Sequence, residues 1–594
     1  MPKFKDVVEK WRKTPENKFK QKDRELCIQI GSACIDQGES AKVLDFIKEE
    51  KNQGIVRALG LGLLQPLVKE ILKRKQNPVH CEAAVTHLVQ VCKPKEVFDN
   101  LFGQLEDCDP GFIGETVIVL LPHLQTVLLQ LGDGCWGPCV GAVLKVAQRQ
   151  VARLPVPYTR QQEKSDTHGL CKCCAVLLDF LRPFVVEVKT GASKKGAASA
   201  TKGPANDRLR EDIVKFCMLS LREPLLQAIL QDPSSPFWTF ATGIMAILTE
   251  IHKPLPELLF NQPMRRGDEF ISKASSDSEE SRACLAYLLF VQLIAMETFP
   301  AIFSPVYLLQ RNMEYVNLLS ARKDEAWLTK GLDLCEKSLE RVEGCSLPVE
   351  ILELRSFYTV PQNLVQIMTV CPMKHLQTKA LHVFQLFIDK LNGEAKHRFF
   401  RCMMKTSHHA GVEGHVIKNI KNQVDPAKCG QVSCWFSGEH LLSLLQMAVC
   451  VPKGVETDLL HGMDRVMESL NLLRFLLIKE KEKSSSKSMW AELCKLAASY
   501  LKILRVCLSM SRSYYGAELK TLKENQKNKA KERREARKMK KPVREINVKD
   551  EKLSDMSEME QHQVLQCAMV TFDLMDSLTV RIEELTEDRV AREP

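Results

Sequence analysis

The chain has 594 residues, with 45% hydrophobic, 27% charged and only 6% aromatic side chains, several times the ~100–200 residues of one domain, so it is multidomain or a long repeat array. An apolar set dominated by leucine with so few aromatics favours helices over sheets. The formal net charge of +10 is concentrated: twelve Lys/Arg against three Glu lie between Lys520 and Arg544. The remainder is nearly neutral, which argues against a distributed nucleic-acid-binding face, and nucleic acid is not an expected partner. The 22 cysteines are scattered and the opening MPKFKDVVEKWRK has no apolar secretory segment, so they are read as reduced thiols of a cytoplasmic protein. No stretch approaches the ~20 uninterrupted apolar residues of a membrane span, and no membrane insertion is expected.

From Ile55 to Leu72 apolar residues recur every three or four positions and predict a helix with one buried stripe. Pro78, Pro94, Pro110 and Pro138 mark breaks between helices. Cys135 and Cys139 enclose three residues, one more than a thioredoxin-type redox pair requires, and are expected to be structural. His168, Cys171, Cys173 and Cys174 form the densest set of zinc-ligand types. A structural zinc site draws two ligand pairs from separate elements, so these residues are expected to be core and no metal or cofactor is anticipated. Residues 189–208, KTGASKKGAASATKGPANDR, lack large apolar groups and are read as a linker between helical regions 1–188 and 209–396. Residues 265–282 are polar and phosphorylatable, and are expected to be a flexible loop.

Further along, Leu376, Ala380, Val383, Phe384, Phe387, Ile388 and Leu391 predict another amphipathic helix. The C-terminal region is drawn at 397–594, with the short polar stretch KEKEKSSSKS at 479–488 and a basic flexible tract at 520–544. His408 and His409 beside Ser407 belong to no catalytic signature. No nucleophile elbow, HExxH, Walker loop or kinase motif occurs, so no enzymatic activity is expected. Leu565, Ala568, Phe572, Met575 and Ile582 predict a terminal helix. Many helices with short connections imply an all-α fold, an α-solenoid of degenerate HEAT-like helical hairpins.

Several strings, in order along the chain, resemble the glomulin family of HEAT-like proteins: LPVPY (154–158), GLCKCC (169–174), SPVYLLQ (304–310), TVPQ (359–362), GVEGHVIKNIKNQVD (411–425), ETDLL (456–460), MESLNLLRFLLIK (467–479) and TFDLMDSLTVRIEEL (571–585). The resemblance implies a protein that binds the small RING subunit of cullin-RING ubiquitin ligases, and through it cullins, by its C-terminal region. It implies inhibition by covering the surface where the ubiquitin-conjugating enzyme docks. An FK506-binding immunophilin, the hepatocyte growth factor receptor and vasculature development are further associations of the family. The basic tract and the 189–208 insertion depart from the family pattern, so no role carries over to them. The alternative reading is a general α-solenoid adaptor in signalling or transport.

A mask for an apolar groove lined with basic residues should present apolar groups flanked by carboxylates. Two places fit in sequence: Trp435 and Phe436, ahead of the stripe Leu441, Leu442, Leu445 and Val449, and the terminal helix, where Asp573, Asp576, Glu583 and Glu584 accompany Phe572, Met575 and Ile582. These two aromatics and four carboxylates are the expected partner-binding residues.

Overall fold

The computed structural model describes residues 4–73, 78–131, 136–157, 159–193, 203–251, 254–260, 273–425, 433–482, 487–539 and 558–590. They are all-α: among them the only extended pairing is a single bridge between Leu347 and Leu391. The chain divides into two compact units, Met1–Val342 and Glu343–Pro594. The boundaries expected from sequence, 188/209 and 396/397, differ from this division. A helix beginning at Gly393 crosses the second of these, and residues 194–202 of the supposed linker lie outside the described residues.

In the first unit the helices of ten or more residues are α1 (Gln21–Asp36), α2 (Leu64–Lys73), α3 (Pro78–Val91), α4 (Pro94–Glu106), α5 (Ile113–Gln130), α6 (Trp136–Val151), α7 (Leu170–Ser193), α8 (Gly203–Ser220), α9 (Pro236–Glu250), α10 (Lys273–Phe290), α11 (Pro305–Ser320) and α12 (Glu325–Glu340). Each packs on near neighbours in the chain: α2 on α3, α4 on α5, α5 on α7, α7 on α9, α10 on α11 and α11 on α12. This stacking of successive helical hairpins is an α-solenoid arrangement. Pro78, Pro94 and Pro305 open helices rather than stop them, while Pro122 and Pro183 lie inside α5 and α7. Pro94 and Pro305 occupy first turns, where the missing amide would have had no intrahelical partner. Before Pro305, the Ser304 hydroxyl accepts the Tyr307 amide at 3.2 Å and caps α11.

Three expectations change in this unit. The Ile55–Leu72 stripe is buried as far as Ile71, but Gly60–Leu63 forms a 3-10 turn that splits it into two helices. Residues 273–282 of the supposed loop 265–282 are the start of α10, while 265–272 lie outside the described residues. The segment Pro110–Gln130, containing α5, is long and apolar enough to cross a membrane. Leu120, Leu121, Leu124, Val127 and Leu128 are instead fully buried, and α5 packs on α4, α6 and α7 as a core helix.

The second unit contains α13 (Arg355–Val370), α14 (Lys374–Lys390), α15 (Gly393–Thr406), α16 (Ala410–Val424), α17 (Gly438–Ala448), α18 (Leu459–Glu482), α19 (Lys487–Met539) and α20 (Glu558–Val590). The predicted stripe of α14, from Leu376 to Leu391, is wholly buried, each large side chain contributing ~1.5–3 kcal/mol. Phe384 and Phe387 meet Phe399 of α15 at 5.9 and 5.5 Å. Helix α18 packs on α16, α19 and α20, and α19 packs on α20. The tract read as a flexible segment is helical from Lys520 to Met539, as the end of α19; residues 540–544 lie outside the described residues.

Candidate protein-binding surface

The crossing of α16 and α18 is built by the string GVEG. A Cβ on Gly414 would stand 2.9 Å from the Asp464 backbone oxygen, so glycine lets the two helices touch. One position earlier, Glu413 takes the guanidinium of Arg465 at 2.6 Å, with both side chains more than nine-tenths buried. Arg465 also donates to the Met447 carbonyl at 2.9 Å, tying the end of α17 into the joint. Removing these charges from water is costly, and the several donors and acceptors of the joint offset that cost.

The seam between α19 and α20 uses the same residue types at the surface. Arg505 grips Glu583 with two nitrogens, its Nε at 2.9 Å from Oε1. Arg512 reaches Asp573 at 2.8 Å, Asp576 at 3.3 Å and the Phe572 carbonyl at 3.1 Å. Beneath these pairs Phe572, Met575 and Ile582 are fully buried. Tyr515 donates to the Asp458 carboxylate at 2.9 Å, fixing α19 to the start of α18.

These contacts revise the expected binding residues. Phe436 is 1% exposed and meets Phe400 at 6.0 Å, so it is core and not a projecting group. Trp435 is half-buried, its ring 4.5 Å from His440 and 5.5 Å from His397. His397 is bonded to the His440 carbonyl at 3.1 Å, and burial lowers its pKa. Asp576 and Glu583 are engaged by arginines of α19. Glu584 pairs with Arg581 of its own helix at 2.6 Å. Asp573 keeps 72% of its side chain exposed despite its arginine.

Sequence reasoning missed the outward faces of the last two helices. On α20, Val570 and Leu574 are 61% and 53% exposed, one turn apart and next to Asp573. On α19, Val506, Met510 and Tyr514 follow at four-residue spacing, all exposed. The signal was present in the sequence as a second apolar row on each helix. The stronger inward stripe masked it, since both rows lie in one amphipathic pattern. Exposed apolar groups in rows mark interaction surfaces more often than scattered ones do.

The other chemical candidates that are described make local contacts. The Asp166 carboxylate accepts the amides of Cys171 and Lys172 at 3.0 and 3.1 Å and so caps α7. Burial, aided by the charge of Asp166, pushes the Cys171 and Cys173 thiols up to about 12. The Cys173 thiol donates to the Gly114 carbonyl of α5 at 3.4 Å. Among the described residues no three His, Cys, Asp or Glu side chains are placed to hold a metal ion. Cys135 lies outside the described residues. The Ser407 hydroxyl accepts the His409 amide at 3.4 Å, a local turn contact.

The described residues thus form an all-α repeat scaffold whose last two helices present rows of exposed apolar side chains. The family model described as "Uncharacterised protein family, YAP/Alf4/glomulin" matches residues 1–567, and the chain belongs to this family. It is 37% identical to Glomulin of Homo sapiens over 594 residues, covering 98% of this chain and 96% of the human protein. Against Glomulin of Mus musculus it is 37% identical over 592 residues, with the same coverage. A solved circular tandem repeat protein aligns with 99% of this chain and 97% of its own, at 11% identity and a TM-score of 0.20, a likeness too slight to inform the fold.

Proposed function

We propose that this protein inhibits cullin-RING ubiquitin ligases in the cytoplasm by covering the surface of the small RING subunit on which the ubiquitin-conjugating enzyme docks. The observation that carries this reading is the end-to-end relationship to Glomulin, 37% identity over 98% of the chain, together with the resemblance of its ordered strings to that family. The second unit supports it with a surface of suitable chemistry. Val570 and Leu574 on α20 stand beside the exposed Asp573, apolar groups with a carboxylate at their rim, as a partner with an apolar groove and basic residues requires. No chemistry is asked of the protein beyond occupancy.

The test is a reconstituted ubiquitin-transfer reaction containing cullin, RING subunit and charged conjugating enzyme. Full-length protein added in excess of the ligase should block transfer. Leu574→Lys, which keeps the fold because the side chain already faces solvent, should weaken the block at least tenfold. An unchanged transfer rate with the wild-type protein would leave a general adaptor, the alternative reading, in its place.

A further inference from the structure

Two buried cations of the second unit have unequal partners. Arg465 has the Glu413 carboxylate at 2.6 Å. Lys396, in the first turn of α15, is 4% exposed, yet among the described residues its ammonium reaches no carboxylate. Its acceptors there are Oε1 of Gln423 and the sulfur of Cys345, each at 3.3 Å. An ammonium carries three N–H donors, and a buried cation without a counter-charge is costly. Lys396 is therefore short of both an acceptor and a negative charge, and the sulfur it faces can supply both once oxygen is added to it.

The backbone holds Cys345 in place. Its amide donates to the Asp389 carbonyl at 3.0 Å. Leu347 donates to Lys390 at 2.9 Å and Asn392 to Leu347 at 2.8 Å, which fixes the segment against the turn into α15. Cys345 is nevertheless exposed, as are Cys402, Cys434 and Cys567. Among the described residues no lysine or arginine donates a hydrogen bond to the sulfurs of those other three.

We infer that Cys345 is a redox-modification site, oxidised by hydrogen peroxide to a sulfenic acid whose oxygen accepts from the Lys396 ammonium. The sulfur lone pair attacks one peroxide oxygen, the S–O bond forms as the O–O bond breaks, and the thiol proton leaves with the second oxygen as water. Sulfur is oxidised and peroxide reduced by one electron pair. Lys396 is the positioning residue: a fixed cation stabilises the negative charge that develops as the O–O bond breaks. Sulfenic acid is the reversible rung of thiol oxidation, so a thiol reductant restores the site.

The test treats full-length protein with hydrogen peroxide at neutral pH, traps sulfenic acids with dimedone and quantifies each cysteine by peptide mass spectrometry. Cys345 should be labelled about tenfold faster than Cys402, Cys434 and Cys567 in the same molecules. That lead should disappear in urea-unfolded protein, and dithiothreitol added before the trap should abolish the label. Lys396→Met should bring Cys345 to the level of the other three, while Lys396→Arg, which keeps a cation, should preserve the lead. The proposal is overturned if wild-type Cys345 is labelled no faster than the three reference cysteines, or if its label resists dithiothreitol. A lead that survives unfolding or Lys396→Met, or that is lost in Lys396→Arg, overturns it equally.

Discussion

Two regions of the second unit use the same Arg–carboxylate pairing to different ends. At the α16–α18 joint, Glu413 and Arg465 are 8% and 7% exposed and bond to each other and to the end of α17. At the α19–α20 seam, the side chains of Arg505 and Glu583 are 48% and 35% exposed. In the joint each charge has lost its water, so either partner left alone would be an uncompensated buried ion. In the seam, water and salt screen the pairs, which steer the helices into register without contributing much energy. The difference predicts where the unit is sensitive to substitution: at the joint, which is fixed from within, more than on the solvent faces of the outer helices.

The largest expected effect is at the joint. Glu413→Gln or Arg465→Met should destabilise the second unit by about 3–5 kcal/mol, read as a fall in the chemical-unfolding midpoint. A loss below about 1 kcal/mol would remove the distinction between joint and seam. Next comes Gly414→Ala, whose added methyl would press on the Asp464 carbonyl and should cost about 1–3 kcal/mol by overpacking; unchanged stability would mean that α16 can slide away from α18. Glu583→Lys at the seam should cost less than about 1 kcal/mol, and pairing it with Arg505→Glu should restore the original midpoint.

The smallest effect is a pH dependence. Burial lowers the pKa of His397 and His415 from the unfolded value of 6.5. In the window below 6.5 the unfolded chain therefore binds protons that the folded chain resists. Stability should be fully present above pH 6.5 and decline as the pH falls from there toward the folded values. His397→Gln should shallow that decline between pH 6.5 and 5.5, and an equally steep decline would assign the effect to other groups.

Much of the fold was legible because its signal is periodic. The stripes ending at Leu391 and Ile582 are buried as helical spacing requires. What was not legible depends on contacts that periodicity does not encode. Gly60 and Gly62 split a continuous stripe, and the division after Val342 carries no compositional mark. The basic tract has the like-charge density of a solvated loop, yet its residues 520–539 continue the helix from the packed turns that precede them, since propagating a helix is far easier than nucleating one. The site was legible only in part. Asp573 is exposed as expected, but Asp576 and Glu583 meet arginines some 60 to 80 residues earlier in the chain, a pairing no local pattern reveals. Phe436 and Trp435 are neighbours in sequence, but the 3-10 turn Cys434–Phe436 buries one of them and leaves the other half-exposed.

The proposed inhibition rests on competition between the protein and the ubiquitin-conjugating enzyme for one surface of the RING subunit. Its most direct test is the concentration of protein needed for half-inhibition of ubiquitin transfer, measured over about a hundredfold range of conjugating enzyme. Competition predicts that this concentration rises in proportion once the enzyme exceeds its own Kd for the RING subunit. A half-inhibitory concentration that stays constant across the range, or a stable ternary complex of the three proteins, would contradict the account.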